Sequence, residues 1–370
     1  MLLCCGQAVA TTEEEANSLQ VSQLLTQNVS ENSAVEIALM NNRSIQALLM
    51  EVGISQADVL QAGLLSNSAY SFGLYKQGDE LSMAHGFHFN LDKLLFRNEL
   101  QGMAQQKLLQ TQQQLVTQLI QLGHETRKAH IEAVADQETT LYMQQVWSLA
   151  KAGAELADKM KTAGNFNKLQ QAREQEFEAQ ARSGLLRAQR SELSSREKLG
   201  RLMGLSAGQM HFKLPHHLPP LPLVLKDSPA LEDQALQQGV DVQRAKLNNE
   251  QIAPQAGFTK ASHFINVLEV REAYANYKVA YEMALHHRDV VLPLQQTIAE
   301  ENLLRYNGML MGVFELLSES RQQITSVTTY MTLLKEFWLA QIDLDMAMIG
   351  KPSLAISTET PASAAVRPAH

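Results

Sequence analysis

The chain has 370 residues, which is enough for two ordinary domains or for one elongated unit. Hydrophobic residues make up 45% of it and aromatic residues only 6%. Together with a glutamine content of about a tenth, this composition is typical of packed and coiled-coil helices. The net charge of −8 excludes a nucleic-acid-binding protein that relies on a clustered basic face.

The first segment, residues 1–30, carries an ambiguous targeting signal. Ala8-Val9-Ala10 resembles a signal-peptidase site, but the apolar run before it is short and no basic residue precedes it. Two interpretations stay open: a remnant of an export signal, or a frayed cytosolic N-terminus. The only cysteines, Cys4 and Cys5, exclude a disulfide framework and a CxxC metal site, and the residues before them form a weak lipidation signal. The sequence contains no run of 18 apolar residues and therefore predicts no transmembrane helix.

Residues 31–205 read as a first structural repeat that contains helices and a β-hairpin. Within 69–91, large apolar side chains alternate with small or polar ones on both sides of a turn at Gln77-Gly78-Asp79. Strands of this length can cross a bilayer when they belong to a closed barrel. The alternative is an ordinary hairpin packed on the helices.

The stretch from Leu94 to Ala163 has no proline and predicts a helix of roughly 100 Å. Gly164 then predicts a turn, because glycine closes helix ends by taking a positive φ. About forty helix-compatible residues follow and end at Gly204. This pattern predicts a long helical hairpin rather than a globular domain.

Residues 206–228 form a proline-rich connector, and residues 229–350 repeat the first half in shortened form. Glu125, Arg127 and Gly164 fall on Glu269, Arg271 and Gly308 at a spacing of 144 residues. VEIALMNNRSIQ matches LEDQALQQGVDVQ at a larger spacing, so the second half lacks about fifty residues. Its only strand candidate is PQAGFTKASHFINV, 254–267, which is too short for a second strand pair. Residues 351–370 read as a disordered tail.

The second glycine turn lies in RYNGMLMGVFELLSESRQQ, 305–323, and predicts another hairpin tip. The apolar run around GMLMG is too short for a membrane dimer motif, and a phosphate loop would need a preceding strand and a following Lys-Ser/Thr pair. The next apolar residues follow a heptad-like seam, which is typical of coiled-coil packing. They are Leu317, Ile324, Val327, Met331, Leu334, Trp338 and Ile342.

Catalytic patterns are missing from the sequence. The spacing of His124 and His130 is not HExxH, and no GxSxG, nucleotide fingerprint or paired carboxylates in a plausible pocket occur. We therefore expect no enzyme, no cofactor and no metal site, with structural or exposed roles for the histidines.

This layout resembles the TolC-like outer membrane efflux proteins over about residues 31–350. The resemblance is carried by ALMNNRSIQ and ALQQGVDVQR in the paired first helices, by AGNFNKLQQAREQ and RYNGMLMGVFELLSESRQQ at the tips, and by the ending FWLAQIDLDMAMIG. It implies a mainly α fold of long antiparallel coiled-coil hairpins in duplicated halves. Three chains would then form one α-barrel in the periplasm and one small β-barrel in the outer membrane.

The resemblance also implies partners and sites. Such channels passively conduct substrates that an inner-membrane pump delivers through a periplasmic adaptor, and the EVREAY and LRYNG stretches favour resistance-nodulation-division pumps that export drugs or heavy metals. The adaptor-facing tips would be Ala163, Gly164, Asn165, Phe166, Asn307, Gly308, Met309 and Gly312. The pore constriction would be formed from Phe314, Glu315, Leu317 and Glu319, either by the glutamates in a shifted register or by an apolar ring. The alternative is that both glutamates are ordinary solvated charges. The membrane-facing strand residues would be Tyr70, Phe72, Leu74, Phe87 and Phe89.

The missing fifty residues leave a second function open. With one hairpin per chain, a trimer has six strands, and a barrel that narrow suits no drug-sized lumen. The alternative is a non-conducting, soluble periplasmic coiled-coil scaffold derived from the same family.

Overall fold

The computed structural model describes residues 19–64, 69–77, 80–88, 96–225 and 256–349. The chain divides into two compact units. One unit contains Glu36–Gly123 and the residues up to Val21, and the other contains Ser22–Val35 and the chain from His124 onward. Helices account for most of the described residues, as the sequence predicts.

Two helices begin the described fold. Helix α1 spans Glu31–Asn41 and helix α2 spans Arg43–Gly63. Asn42 separates them, because its side-chain Oδ1 accepts a hydrogen bond of 2.9 Å from the Ser44 N–H and so caps α2. In the first unit, the α2 residue Ser55 lies 3.4 Å from Thr111 Oγ1, and both side chains are buried.

A β-hairpin lies within the predicted 69–91 segment. Strand β1, Ala69–Gln77, pairs antiparallel with strand β2, Glu80–His88. The register places Tyr70 opposite Phe87 and Phe72 opposite His85. These four side chains therefore share one face of the hairpin.

The first long hairpin consists of helix α3, Arg97–Thr162, and helix α4, Lys168–Leu202. Helix α3 has 66 residues, so it is about 100 Å long. Asn167 and Gln170 form a reciprocal capping box that starts α4.

The connector after α4 lies within the second unit, where side chains from three helices bind it. A short 3₁₀ turn at Ala207–Gln209 begins the connector, and Val29 N–H donates a 2.8 Å hydrogen bond to the Lys213 carbonyl.

Further along the connector, Trp338 Nε1 and the Tyr281 hydroxyl donate 3.0 Å hydrogen bonds to the carbonyls of Pro219 and Pro222. Glu138 accepts a hydrogen bond of 3.0 Å from the Leu218 N–H. The connector is therefore packed structure. Its buried side chains are Phe212, Leu214, Leu218 and Leu221.

The second hairpin begins with helix α5, Ala256–His286, which corrects one prediction. The stretch 254–267 was the strand candidate of the second half, but the helix already covers it from Ala256. A π-turn at His287–Val291 joins α5 to helix α6, Leu292–Asn307, and helix α7 spans Val313–Ile349. Pro293 accounts for the irregularity, because it has no N–H for the preceding turn and its ring clashes with the carbonyl of residue 289.

The two hairpins have matching landmarks, and their spacing changes by one residue at the π-turn. Before it, the buried pairs Thr126/Val270, Ala133/Tyr277 and Thr140/Ala284 lie 144 residues apart. After it, the buried pair Ala157/Asn302 and the helix starts Lys168/Val313 lie 145 apart. A π-turn holds one residue more than the α-helical turn that it replaces, so this local change accounts for the new spacing.

Aromatic side chains form the core between α5 and α7. Phe337 is fully buried, and its ring centroid lies 5.4 Å from that of Tyr277 and 5.7 Å from that of Tyr281. The predicted seam lies beside this core, with Leu334 and Ile342 buried. No helix among the described residues is long and apolar enough to span a membrane. The predicted first helix of the second half, within 226–255, and the tail 351–370 lie outside the described residues.

Candidate functional site

The first helical tip closes with a left-handed glycine, as predicted. Gly164 has φ +80°. Its N–H donates to the Lys161 carbonyl, the next N–H, from Asn165, donates to the Met160 carbonyl, and both distances are 2.9 Å. This pair of bonds is the Schellman motif, which satisfies carbonyls that the helix end leaves open.

The second tip has the same motif one residue later than predicted. Gly308 has φ −80°, and the left-handed residue is Met309, with φ +56°. Met309 N–H donates to the Tyr306 carbonyl at 3.0 Å, and Leu310 N–H donates to the Arg305 carbonyl at 2.9 Å. The expectation that Gly308 takes the positive φ is therefore wrong, because the helix runs one residue further before it turns.

The predicted tip residues are largely exposed. Ala163, Gly164 and Asn165 are exposed in the first tip, and Phe166 is half-buried. In the second tip Asn307, Gly308 and Gly312 are exposed. Met309 is 94% exposed and its neighbour Leu310 is 76% exposed, whereas Met311 is 8% exposed. Two large apolar side chains thus lie in solvent at the end of the second hairpin.

The predicted constriction residues lie in the first turns of α7. Glu315 and Glu319 are exposed and Leu317 is half-buried, while the side chain of Phe314 lies outside what the structure describes. Glu319 makes no ion pair with any described residue.

Three of the strand residues predicted to face the membrane, Tyr70, Phe72 and Phe87, share one face of the hairpin. Tyr70, Phe72 and Phe87 are 55%, 53% and 79% exposed. The Tyr70 and Phe87 rings lie 4.9 Å apart, and the Tyr70 hydroxyl lies 2.5 Å from His85 Nδ1. The side chain of Leu74 and the whole of Phe89 lie outside the described part.

A buried ion pair joins the two long hairpins near their tips. Arg321 Nη2 of α7 lies 2.7 Å from Glu174 Oε1 of α4, and the Glu174 side chain is only 3% exposed. The guanidinium also lies 4.4 Å from the centre of the Phe177 ring, as a cation–π contact. The ion pair therefore replaces part of the hydration that Glu174 loses on burial.

Two further ion-pair groups join α3 to α7 in the second unit. Asp343 accepts from Lys128 Nζ through both carboxylate oxygens, at 3.0 Å each, and lies 3.0 Å from His124 Nε2. Asp136 pairs with Lys335 Nζ at 2.9 Å. Burial lowers the pKa of His124, although the hydrogen bond and charge of Asp343 oppose this shift.

Two buried histidines have one ring nitrogen without a partner among the described residues. His130 Nε2 donates to the Val29 carbonyl at 2.9 Å, and its Nδ1 has none. His287, in the π-turn, has no partner at Nε2 and meets the Tyr330 ring edge-on. Burial lowers the pKa of both histidines and raises the pKa of the Tyr330 hydroxyl. The neutral imidazole is therefore the form that the fold favours.

A small cleft lies between α6 and α7, close to the second tip. Its polar lining includes the buried Asn302 and the exposed Glu319. The side-chain amide of Asn302 makes no hydrogen bond to another described residue. The full lining consists of Gln295, Ile298, Ala299, Asn302, Leu316, Glu319, Ser320 and Gln323.

Sequence reasoning missed the Glu174–Arg321 pair and the cleft at Asn302. The sequence offered no local signal for the ion pair, because packing between the hairpins sets it. The 145-residue spacing that matches Glu174 with Glu319 and Ala157 with Asn302 was the one signal for the position of the cleft. Within the described ranges, no three His, Cys, Asp or Glu side chains are placed to hold a metal ion.

The fold is similar to that of solved outer-membrane channels. The outer membrane protein VceC of Vibrio cholerae aligns with a TM-score of 0.66 and 11% identity, over 86% of this chain and 96% of VceC. The CmeC outer membrane channel of Campylobacter jejuni aligns with a TM-score of 0.63 and 12% identity, over 87% and 86% of the two chains. The MtrE outer membrane channel of Neisseria gonorrhoeae, solved in its open state, aligns with a TM-score of 0.60 and 16% identity, over 87% of this chain and 89% of MtrE.

No protein-family model and no curated protein sequence matches the chain. At sequence identities of 11% to 16%, these alignments show a similarity of fold.

Proposed function

We propose that this chain, which has the fold of TolC-like outer-membrane efflux channels, is itself the outer-membrane channel component of a tripartite efflux system. The observation that carries the proposal is the extent of the likeness, because the alignment with VceC includes most of both chains. Transport in such a channel is passive, so the chain needs no catalytic residues, and the energy comes from an inner-membrane pump.

The assembly that we propose is a homotrimer of chains with duplicated halves. The long hairpins would line a periplasmic tunnel, and each chain would give strands to one barrel in the outer membrane. The exposed aromatic face of β1 and β2 supports this arrangement, since Tyr70, Phe72 and Phe87 suit a lipid boundary. Leu74 and Phe89 would extend the same face.

The tips are the proposed docking surface for a periplasmic adaptor. Ala163–Phe166 and Asn307–Gly312 end the two hairpins, and Met309 and Leu310 expose apolar surface that a partner protein would cover. Phe314, Glu315, Leu317 and Glu319 follow at once and would form the constriction. The pump would be of the resistance-nodulation-division type, and the substrate a drug or a metal ion.

Membrane fractionation followed by the native mass of the detergent-extracted protein tests this function. A trimer of 41.1 kDa chains in the outer membrane is the expected result. A soluble monomer or dimer in the periplasm contradicts a conducting channel.

One observation favours a second function, a non-conducting periplasmic scaffold derived from the same fold. The strand candidate of the second half is helical from Ala256, so the described residues include one β-hairpin per chain. In the same experiment, a soluble product that keeps its helical content supports the scaffold.

A further inference from the structure

Met309 is more exposed to solvent than any other methionine in the described part of the chain. It is 94% exposed, and Met50 and Met83 follow at 71% and 63%. Met311, two residues further along the same turn, is only 8% exposed. The second tip therefore holds one accessible and one protected thioether almost side by side.

The backbone of the turn accounts for this exposure. A methionine within an α-helix directs its long side chain back along the preceding turn. Met309 has φ +56°, so it occupies the left-handed position of the Schellman motif and its Cβ leaves the backbone in another direction. The first tip has Gly164 at this position, with φ +80° and no side chain. The second tip thus carries a sulfur at a position where the backbone favours glycine.

We propose that Met309 is a site of reversible oxidation by peroxide, and that this oxidation weakens docking at the second tip. The inference rests on the proposed function, in which the tips bind the adaptor. The thioether sulfur attacks one oxygen of hydrogen peroxide, so that an S–O bond forms, the O–O bond breaks and the second oxygen leaves as water after taking up the proton. The sulfur is oxidised by two electrons and the peroxide is reduced by two. A methionine sulfoxide reductase with a thiol reductant restores the thioether.

The product differs from the parent side chain in the property on which docking would depend. The thioether is apolar and adaptable, whereas the sulfoxide is polar and needs a hydrogen-bond donor when it is covered. Met309 and Leu310, which is 76% exposed, together form the apolar surface of this tip. Oxidation would therefore weaken an apolar contact with a partner. The fold of the chain itself would be unaffected, because so little of Met309 is buried.

Peptide mapping tests the modification. The purified chain is treated with dilute hydrogen peroxide, and fragment ions on either side of Leu310 assign the added oxygen within the tryptic peptide that contains both tip methionines. We expect Met309 to be oxidised about tenfold faster than Met311, in proportion to their exposed fractions, and the reductase to reverse the change. In urea the two rates should become equal. Equal rates in the folded chain overturn the proposed site.

Matched variants test the effect on docking, with dye efflux of each strain compared before and after a brief peroxide pulse. Met309→Leu keeps an apolar side chain and removes the sulfur, and Met309→Gln places a polar amide where the sulfoxide would lie. We expect the parent to lose most of its efflux after the pulse, M309L to keep the rate that it had before, and M309Q to export slowly even without peroxide. Met283→Leu is the control, since Met283 lies in α5 and is 49% exposed. This control should lose the same share of efflux as the parent.

The outcomes distinguish this inference from the proposed function. If the parent and M309L lose the same share of efflux after the pulse, oxidation of Met309 does not regulate docking, and the channel proposal still stands. Selective oxidation of Met309, together with a loss of efflux that M309L escapes, supports the inference. Cells in which the parent chain exports no dye contradict the channel and the regulation together, and the peptide mapping then decides the modification site by itself.

Discussion

Met309 is the residue at which the backbone of the second tip departs from what its side chain prefers. Its φ of +56° belongs to the left-handed region, which disfavours residues with a Cβ. The first tip places Gly164 in the same role. The second tip therefore stores strain that the first tip does not.

We expect Met309→Gly to raise the free energy of unfolding by about 1 kcal/mol, because glycine adopts this conformation without the Cβ penalty. Thermal melting followed by circular dichroism measures the change. Gly164→Ala is the control, and it should destabilise the chain by about the same amount. If M309G melts at or below the temperature of the parent chain, the turn is not strained as described.

His130 makes the stability of the chain sensitive to acid. Burial lowers its pKa below the value of 6.5 that a histidine has when exposed, against the opposing effects of the Val29 carbonyl and Glu31. Because the unfolded chain then binds the proton first, the stabilisation is complete above about pH 6.5 and is lost as the pH falls below it.

The variant His130→Gln should lose less stability than the parent between pH 7.5 and 5, since its amide N–H₂ can still donate to the Val29 carbonyl but does not titrate. Melting temperatures at the two pH values measure this difference. His216→Gln, at an exposed position of the connector, should leave the acid loss unchanged. If H130Q loses as much stability as the parent between these pH values, the acid sensitivity comes from another group.

At the scale of elements, the ion pairs between helices lie at unequal depths. The Glu174 side chain is 3% exposed and that of Arg321 is 31% exposed, whereas Lys107 and Asp58 pair at 3.4 Å with 65% and 43% exposed. A charge that has lost its water depends on its partner far more than one that remains hydrated.

Arg321→Gln should therefore destabilise the fold by about 3 kcal/mol, because it leaves the Glu174 carboxylate buried without its counter-charge. Chemical denaturation measures the effect. Lys107→Gln is the control and should change the stability by less than about 0.5 kcal/mol. Equal losses of stability in R321Q and K107Q would contradict a larger contribution from the buried pair. The double variant E174Q/R321Q should lose less stability than the sum of the losses of E174Q and R321Q.

The tip of the second hairpin is where we expect a substitution to affect transport without affecting the fold. Leu310 is 76% exposed, so Leu310→Asp removes apolar surface that no described neighbour needs. The proposed channel function predicts that cells relying on this chain for efflux retain a fluorescent substrate when they carry L310D, although the amount of protein in the outer membrane is unchanged.

The control for this change is Leu223→Asp in the connector, where the side chain is 89% exposed. It should leave dye efflux unchanged. If L310D cells export dye as fast as the parent, the apolar tip is not the docking surface.

At the scale of the whole molecule, periodicity predicted the regular parts of the fold well. Seventy residues without proline became the single helix α3, and alternation over 69–91 became β1 and β2. The only strand candidate of the second half, 254–267, is helical from Ala256, since a short apolar run reads alike as strand or helix and the tertiary context decides.

The features that sequence reasoning missed depend on exact helical phase. A constant spacing of 144 residues put the second turn at Gly308 and concealed the match between Glu174 and Glu319. The extra residue becomes visible only in the structure, where the matching buried positions after the π-turn lie 145 residues apart instead of 144. Partners across hairpins, such as Arg321 for Glu174, are set by packing that no local pattern encodes.

The π-turn also marks the point at which the helical segment formed by α5 and α6 can change its length. In an ordinary helix, the loss of one residue rotates everything beyond it by about 100° and turns core side chains toward solvent. At His287–Val291 the wide turn already holds a surplus residue, so deletion of Val290 should convert it to a regular α-turn and leave both ends in phase.

Deletion of Gln145, in the uninterrupted helix α3, is the matched experiment in the first hairpin. We expect the Val290 deletion to yield soluble or membrane-extractable protein that melts within a few degrees of the parent, and the Gln145 deletion to yield aggregate. Two equally damaging deletions would contradict the surplus-residue account. The second hairpin thus has a place where one residue can be removed, whereas the first hairpin has a fixed length.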